Sequence, residues 1–555
     1  MKKLTFTKSE NFKEEYCCSI IKIGEVKPIP ESDFLGQTLV NGLSVVVRKD
    51  QVKEGDILIY AANETELSPE FLSVNNLYEV GECDKNANYN DCVKSQVSEV
   101  ETIKANVADT SKELRQLQSL LKRKYGKKDS QKDDAYTKLV DDIKSHRDTI
   151  NNLNEKKEKL SVEIKKHCGF FNKYGRVKMI RLKGVPSMGF LFGFDELTKT
   201  FPDAKVDNVE DLVGTDFDTV CDKEFVKAYI PRIKEPKPQK QSSGNKHQKK
   251  VDRFDRIIPG EFLLHYDTQQ LPKNIGKIKP DDVVTITVKM HGTSFIAGKV
   301  KTKIPLKLPI YKRLYNKIVD KISFLSRFRL RDYYIDYDDV YSSRTVIKNK
   351  YINPTVNEGF YKSDVWGDIN DVIKPYLENG MTIYGEICGY VTNSESQIQK
   401  GYDYECNIGD NFLMPYRITV KDGNSTTEWN VSQVYDWTKN LINEHELWDK
   451  VRPITILYHG TLKDLYPDIA VDENWHSNVL EALKNDSKFG LEEDEVLCHN
   501  IVPREGIVLR VDDDPIAEAY KLKAIAFLEQ ERGLMDKGDV DIEMTEGFVE
   551  NSTDE

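Results

Sequence analysis

The sequence predicts an α+β protein in which a small N-terminal β-barrel, interrupted by an antiparallel coiled-coil hairpin, precedes a larger domain of mixed antiparallel sheets and helices. Three observations predict it. Short β-branched runs separated by turn residues occupy about 7–79 and return at 174–193. Between them apolar residues recur every three or four positions along two arms. From 255 to 534, short apolar runs alternate with stretches of helical periodicity.

The barrel pattern is carried by Cys18-Ser19-Ile20-Ile21-Lys22-Ile23, Leu43-Ser44-Val45-Val46-Val47 and Asp56-Ile57-Leu58-Ile59-Tyr60. In the first helical arm Val100, Ile103, Val107, Thr110, Leu114, Leu117 and Leu121 form one stripe. In the second the stripe is Leu139, Ile143, His146, Ile150, Leu153, Lys157, Leu160 and Ile164, and Tyr125-Gly126-Lys127-Lys128-Asp129-Ser130 makes the loop. The hairpin, 97–165, is read as a spacer or dimerisation arm inserted in domain 1–235, and so as a route to oligomers. A barrel of the oligonucleotide/oligosaccharide-binding (OB) type suits, because it tolerates long loops and offers a strand face to nucleic acid. Arg176, Lys178 and Arg181 are placed either on such a face or on the solvated side of a strand.

Residues 236–254 read as a basic tether, rich in Pro, Ser and Lys and unable to form a core. The catalytic-type domain is expected over 255–534, organised around Val283-Val284-Thr285-Ile286-Thr287-Val288-Lys289-Met290-His291-Gly292, a β-branched run that delivers a lysine to a glycine turn. A lysine at the end of so apolar a strand is either a solvated rim residue or an amine held for chemistry, where a dry, partly cationic setting makes it nucleophilic. From Lys299 to Arg331 the chain is basic. Leu314, Ile318, Ile322, Leu325 and Phe328 share one helical face, with Lys312, Arg313, Lys317 and Lys321 largely elsewhere. This helix is assigned to nucleic-acid docking or to a plain solvated face in preference to a membrane. The acidic stretch 535–555 lacks periodicity and is expected to be a frayed tail.

A formal net charge of −11 over 555 residues excludes a protein coated in positive charge, so nucleic-acid contacts must use local patches. No run approaches membrane-spanning length, the N-terminus lacks a leader's apolar core, and the nine cysteines show neither Cys-x-x-Cys spacing nor a disulfide framework. The expectation is a cytoplasmic protein, of cellular, viral or phage origin, with reduced thiols and no membrane partner.

Four stretches accompany Lys289: Ser342-Ser343-Arg344, Tyr384-Gly385-Glu386-Ile387, Glu505-Gly506-Ile507-Val508-Leu509-Arg510 and Lys521-Leu522-Lys523. In this order the set resembles the covalent nucleotidyltransferases, the superfamily of ATP-dependent polynucleotide ligases and mRNA capping enzymes, and most closely the RNA ligases. The resemblance spans about 255–529 and implies a nucleotidyltransferase domain unrelated to ATP-grasp folds.

It also implies the chemistry. Lys289 attacks the α-phosphorus of ATP, giving lysyl-AMP; AMP passes to a 5′-phosphate end and is displaced by a 3′-hydroxyl, with Mg2+ or Mn2+ as the metal. All three steps are phosphoryl transfers that need positioning and charge neutralisation. Lys521 and Lys523, two apart on one strand face, meet the α-phosphate and are expected to depress the pKa of Lys289. Glu386 and Glu505 suit the ribose hydroxyls and a divalent metal, and Arg344 forks onto phosphate or ribose. His291 and Gly292 complete the nucleotide pocket. Adenine stacking falls to Tyr416 or, alternatively, Phe412 in Asn411-Phe412-Leu413-Met414-Pro415-Tyr416-Arg417.

The chain departs from the common pattern in three places. His291 stands where most of these enzymes have aspartate, as in the phage RNA ligase 2 group; Arg417 replaces the usual aspartate after the aromatic residue; and 55 positions separate Lys289 from Arg344. Only 32 residues follow Lys523, and the expected barrel comes first, an order resembling the Deinococcus-type RNA ligases. The function implied is joining of RNA ends, at nicks in duplexes, in RNA repair. The alternatives are an mRNA capping guanylyltransferase and a non-enzymatic RNA-binding scaffold organised by the hairpin.

Overall fold

The computed structural model describes residues 2–30, 32–126, 133–206, 208–230, 254–265, 268–319, 328–351, 361, 363–512 and 519–537, without the side chains of Lys2, Asp91, Cys92, Arg313 and Lys317. The chain divides into two compact units, Met1–Tyr229 and Ile230–Glu555. The tether expected at 236–254 and all but the first three residues of the tail lie outside the described residues.

In the first unit the expected strands form at Cys18–Lys22, Leu43–Arg48 and Ile57–Ala61. Cys18–Lys22 pairs antiparallel with Ile57–Ala61, which pairs in turn with Phe190–Phe192. Alternate residues of these strands, with Phe71, Phe217 and Phe225, fill one apolar core. Leu35–Val40 and Leu43–Arg48 form a hairpin whose turn, Asn41-Gly42, takes positive φ at both positions, as a two-residue turn matched to strand twist requires.

No closed barrel forms among the described residues. The strands make one four-stranded sheet, three of three strands and two of two strands. A barrel needs one ladder that returns to its first strand, and most strands after Thr65 are only two or three residues long, too short to carry it round.

Two antiparallel helices, Asp91–Tyr125 and Asp134–Lys165, project between the strands Thr65–Leu67 and Arg176–Val177, which pair directly with one another. Asn90 and Asp133 cap them, each side chain accepting from a backbone N–H three residues on. Glu99–Lys156 (2.6 Å) and Glu113–His146 (3.3 Å) fix the antiparallel alignment. The apolar stripe is fully buried at Val100, Ile103, Leu139, Ile143 and Ile164 and only half-covered at Leu114, Leu117 and Leu121. A helix pair on its own can hide only one side of each stripe.

The second unit is built on two five-stranded sheets. The first runs in the order Gln269–Gln270, Ala519–Lys523, Gly506–Val511, Val283–Lys289, Ile456–Thr461. The second runs Tyr333–Ser342, Thr293–Pro305, Met381–Gly389, Asn411–Asp422, Ser425–Glu428. One face of each is apolar. Val284, Ile286, Ile507, Leu509 and Leu522 pack on the helix Trp475–Asn485, and Phe295, Ala297, Ile383, Ile387, Leu413 and Ile418 pack with the helices Val365–Ile373 and Val431–His445. Three residues, Met290-His291-Gly292, link the lysine strand to the first long strand of the second sheet, so the lysine strand ends at the junction of the two sheets. After Lys523 one residue leads into the helix Ile525–Lys537, which runs into the stretch expected as tail. No described helix is long and apolar enough to cross a membrane, and the described cysteines are free thiols.

Candidate active site

Antiparallel register gathers the site. Lys289 lies opposite Gly506 on one neighbouring strand, and Gly506 lies opposite Lys523 on the next. The side chains of Lys289 and Lys523 therefore project from the same face at the same level, with Glu505 between them. Lys289 Nζ is 2.8 Å from Glu505 Oε1, and Lys523 Nζ is 3.7 Å from the same oxygen. Lys521, opposite Val508, shares that face two residues away. His291 Nδ1 stands 3.7 Å from Glu505 Oε2.

Two glycines permit this closeness. A Cβ on Gly292 would lie 2.3 Å from the Ile387 carbonyl oxygen, and one on Gly506 would lie 2.1 Å from that of Leu522. Gly506 also holds φ at +149°, outside ordinary side-chain territory. Gly292 has no positive φ, so close approach to the second sheet, and not the turn freedom expected from the sequence, fixes glycine there. That approach ties in the second carboxylate, since Gly292 N–H donates to Glu386 Oε1 at 3.0 Å. Tyr404 accepts from His291 N–H, and Gln399 donates to the Gly292 carbonyl, both at 2.8 Å.

The electrostatics correct one expectation. Burial acts to lower the Lys289 pKa and Lys523 adds to it, but the carboxylates of Glu505 and Glu386 outweigh both and hold the ammonium above its ordinary value. Burial alone would raise Glu505; Lys289, Lys523 and His291 outweigh it and hold the carboxyl below its ordinary value. The resting pair is an ion pair, not a neutral amine. Glu505 is 4% exposed, and its Oε2 is buried without a hydrogen-bond partner. A buried carboxylate oxygen left without a hydrogen bond costs about 1–3 kcal/mol or more unless something is meant to meet it.

The remaining expected residues fall into three groups. Tyr416 is half-buried in the strand Asn411–Asp422, its hydroxyl 2.8 Å from His265 Nε2. Phe412 belongs to the core at 1% exposure, with the Arg452 guanidinium 3.9 Å from its ring centre, so that face is taken. Arg344 is half-buried in the turn that follows Tyr333–Ser342, closed by Ser343 N–H donating to Val346 O.

The basic residues expected to touch nucleic acid are unlike one another. Arg176 is buried, clamped by two hydrogen bonds to Glu64 (2.8 and 2.9 Å) with its guanidinium over Tyr229; it is part of the fold and not an exposed face. Lys178 is half-buried, and Arg181 is exposed and donates to Gly184 O. Lys312 is half-buried on the helix Ile310–Val319; the side chains of Arg313 and Lys317, and Lys321 altogether, lie outside the described residues.

Sequence reasoning missed Phe527 and Glu531. Four residues apart on the C-terminal helix, they share a face. Glu531 carboxylate oxygens lie 3.2 and 3.4 Å from Lys523 Nζ, the Phe527 ring lies 5.0 Å under that ammonium, and it meets the His291 ring edge-on at 4.9 Å. The i, i+4 spacing directly after Lys523 was the available signal.

Among the described residues no group of three His, Cys, Asp or Glu side chains could hold a metal by itself. Glu505 Oε2 and the Glu386 carboxylate still fit a hard divalent cation of the kind that takes one or two protein oxygens and completes its shell with phosphates and water.

No family model matches the chain, and no curated protein matches it significantly. Among solved structures it is similar to Naegleria gruberi RNA ligase. A lysine-to-alanine mutant of that protein with ATP and Mn has 14% identity and TM-score 0.44, covering 93% of this chain and 99% of that one. A glutamate-to-alanine mutant with AMP and Mn has 13% identity and TM-score 0.44, covering 93% and 98%. The same ligase with PPi has 14% identity and TM-score 0.42, covering 93% and 98%.

Proposed function

We propose that this chain is an ATP-dependent RNA ligase that works through a lysyl-AMP intermediate. The observation that carries the reading is the pairing of half-buried Lys289 with buried Glu505 at a strand end, flanked by Lys523, with one oxygen of Glu505 without a hydrogen bond. An ammonium of raised pKa is inert as a nucleophile, so the site must first take a proton from it. Glu505 Oε1, at 2.8 Å, is the group within reach. The freed Nζ attacks the α-phosphorus of ATP; a P–N bond forms, and the P–O bond to pyrophosphate breaks, its electrons leaving with that group. Lys523, joined by Lys521 from the same face, balances charge on the α-phosphate. A divalent cation held by Glu386 and Glu505 supplies neutralisation of phosphate charge and a template for its oxygens.

Tyr416 stacks on adenine, since Phe412 is occupied by Arg452, and Arg344 contacts phosphate or ribose. AMP then passes to the 5′-phosphate of an RNA end, and a 3′-hydroxyl displaces it, sealing a nick in a duplex in the service of RNA repair. The N-terminal unit holds that duplex, with Lys178 and Arg181 as its remaining candidate phosphate contacts.

Incubation with radiolabelled ATP or GTP and a divalent cation tests the reading. Label from ATP alone, released on adding nicked duplex with formation of joined strand, is the expected result. Label from GTP alone means a capping-type transferase, and label from neither means that the site is not a nucleotidyltransferase.

A further inference from the structure

The helix Ile310–Val319 is inside out. Its inward residues are Asn316 and Val319, 5% and 3% exposed. Asn316 clips it to the following segment with two hydrogen bonds of 2.9 Å, donating to the Leu330 carbonyl and accepting from the Leu330 N–H. The outward row is aliphatic: Ile310, Leu314 and Ile318, at i, i+4 and i+8, are 75%, 60% and 55% exposed. Tyr311 and Tyr315 line its flank, and Phe328 continues the patch. A soluble surface does not ordinarily present such a contiguous strip without a partner.

The charge around it names the partner. From Lys307 to Asp332, the helix and its flanks, the sequence has eight lysines and arginines against two acids, Asp320 and Asp332, the latter paired with Arg329, a net +6 in a chain of net −11. The partner is therefore anionic, and it must also take up an aliphatic row. Nucleic acid answers only the first demand, because bases stack on aromatic planes and leave Ile310, Leu314 and Ile318 in water. An anionic bilayer answers both, with headgroups over the basic residues, acyl chains under the aliphatic row and the tyrosines at the boundary between them. We infer that Ile310–Val319 is an interfacial helix that lays this protein on an anionic lipid surface. This departs from the nucleic-acid or plainly solvated role expected for the helix, and it does not depend on the ligase reading.

Flotation of the full-length chain with vesicles of phosphatidylcholine, alone or mixed with phosphatidylserine, tests it. The chain is expected to float with the mixed vesicles and not with phosphatidylcholine alone. Leu314→Glu/Ile318→Glu is expected to weaken that binding at least about tenfold, with the melting temperature and labelling by ATP unchanged. If the double variant melts early, Leu314→Ser/Ile318→Ser gives the same comparison with less perturbation. Absence of binding to the mixed vesicles overturns the inference, as does binding that salt abolishes but both double variants retain. Loss of affinity for an RNA oligonucleotide in the double variants, with vesicle binding intact, assigns the surface to RNA and overturns it too.

Discussion

Two charge clusters draw on one face of the Lys289 sheet, the second also on strands of the neighbouring sheet, and they are built to different ends. Glu505 is met on Oε1 by Lys289 and Lys523, while its Oε2 has no hydrogen-bond partner and Lys289 keeps 23% of its side chain exposed. On the neighbouring strand, four residues beyond Gly506 and roughly 13 Å from it, Arg510 pairs with Glu428 Oε1 at 3.1 Å, and Arg417 pairs with Oε2 of the same carboxylate. Arg510 also donates to the Trp429 carbonyl. Both oxygens of Glu428 are thus spent on fixed guanidinium groups, which cannot give up a proton. Buried polar atoms without a hydrogen bond occur in both, Glu505 Oε2 in the first and the Nε atoms of Arg417 and Arg510 in the second, so what separates them is the kind of group: the first pairs its carboxylate with amines that can release a proton and leaves it an oxygen to offer a cation, and the second has both carboxylate oxygens taken by guanidinium groups.

Breaking each cluster should therefore give opposite phenotypes, and the largest effect belongs to the one that contains Lys289. Lys289→Ala and Lys289→Arg are expected to lose covalent labelling by ATP entirely. Both should stay folded, because Glu505 keeps Lys523 and His291 beside it; thermal melting beside the labelling gel checks both statements. Next comes the Glu428 cluster. Glu428→Ala removes the one carboxylate that both Arg417 and Arg510 pair with and should cost about 3–5 kcal/mol of stability, read by denaturant unfolding, with labelling per folded molecule unchanged.

The third effect sharpens the role of the Glu505 charge. Glu505→Gln should lower labelling about a hundredfold and move the rising limb of its kcat/KM against pH to lower pH, because removal of the carboxylate leaves burial and Lys523 free to depress Lys289. The sign for stability runs the other way at the acid edge. The depressed Glu505 pKa contributes stability that is present above the ordinary carboxyl value and is lost as pH falls through the folded one. Glu505→Gln should accordingly flatten the acid arm of a Tm–pH curve. The raised Lys289 pKa contributes stability that is complete below the ordinary lysine value and lost as pH rises through the folded one.

The smallest effect concerns Glu531, which competes with phosphate for Lys523. Glu531→Gln should change the KM for ATP by a few-fold and leave kcat nearly as it was, because it adjusts where Lys523 rests without touching the reacting atoms. A large fall in kcat instead would place Glu531 among the groups that act on the transition state.

What could be read from the chain follows the range of the forces involved. The strand that carries Lys289, the pairing of Lys521 with Lys523 on one face and the two long helices are local patterns of period two or three to four, and these elements form where the patterns lie. Charge partners across the fold are not local. Glu64 lies 112 residues from Arg176, and Glu505 is distant in sequence from Lys289, so neither the burial of Arg176 nor the direction of the lysine's pKa could be read from spacing. Closure of a barrel is likewise a property of the whole ladder, and alternating runs look the same in a barrel and in the short separate sheets found here. Which face of the helix Ile310–Val319 packs inward was not legible for a related reason: periodicity locates an apolar face but not which side the rest of the fold leaves bare.

The central claim is that Lys289 is the residue that takes AMP. Incubation of the full-length chain with ATP and a divalent cation, followed by proteolysis and mass mapping, tests it most directly. The account expects the added mass of AMP on the peptide containing Lys289, on its side-chain nitrogen, in an acid-labile linkage that pyrophosphate reverses. AMP carried stably on any other residue, or an unmodified Lys289 peptide from a chain that nonetheless joins RNA ends, would contradict it.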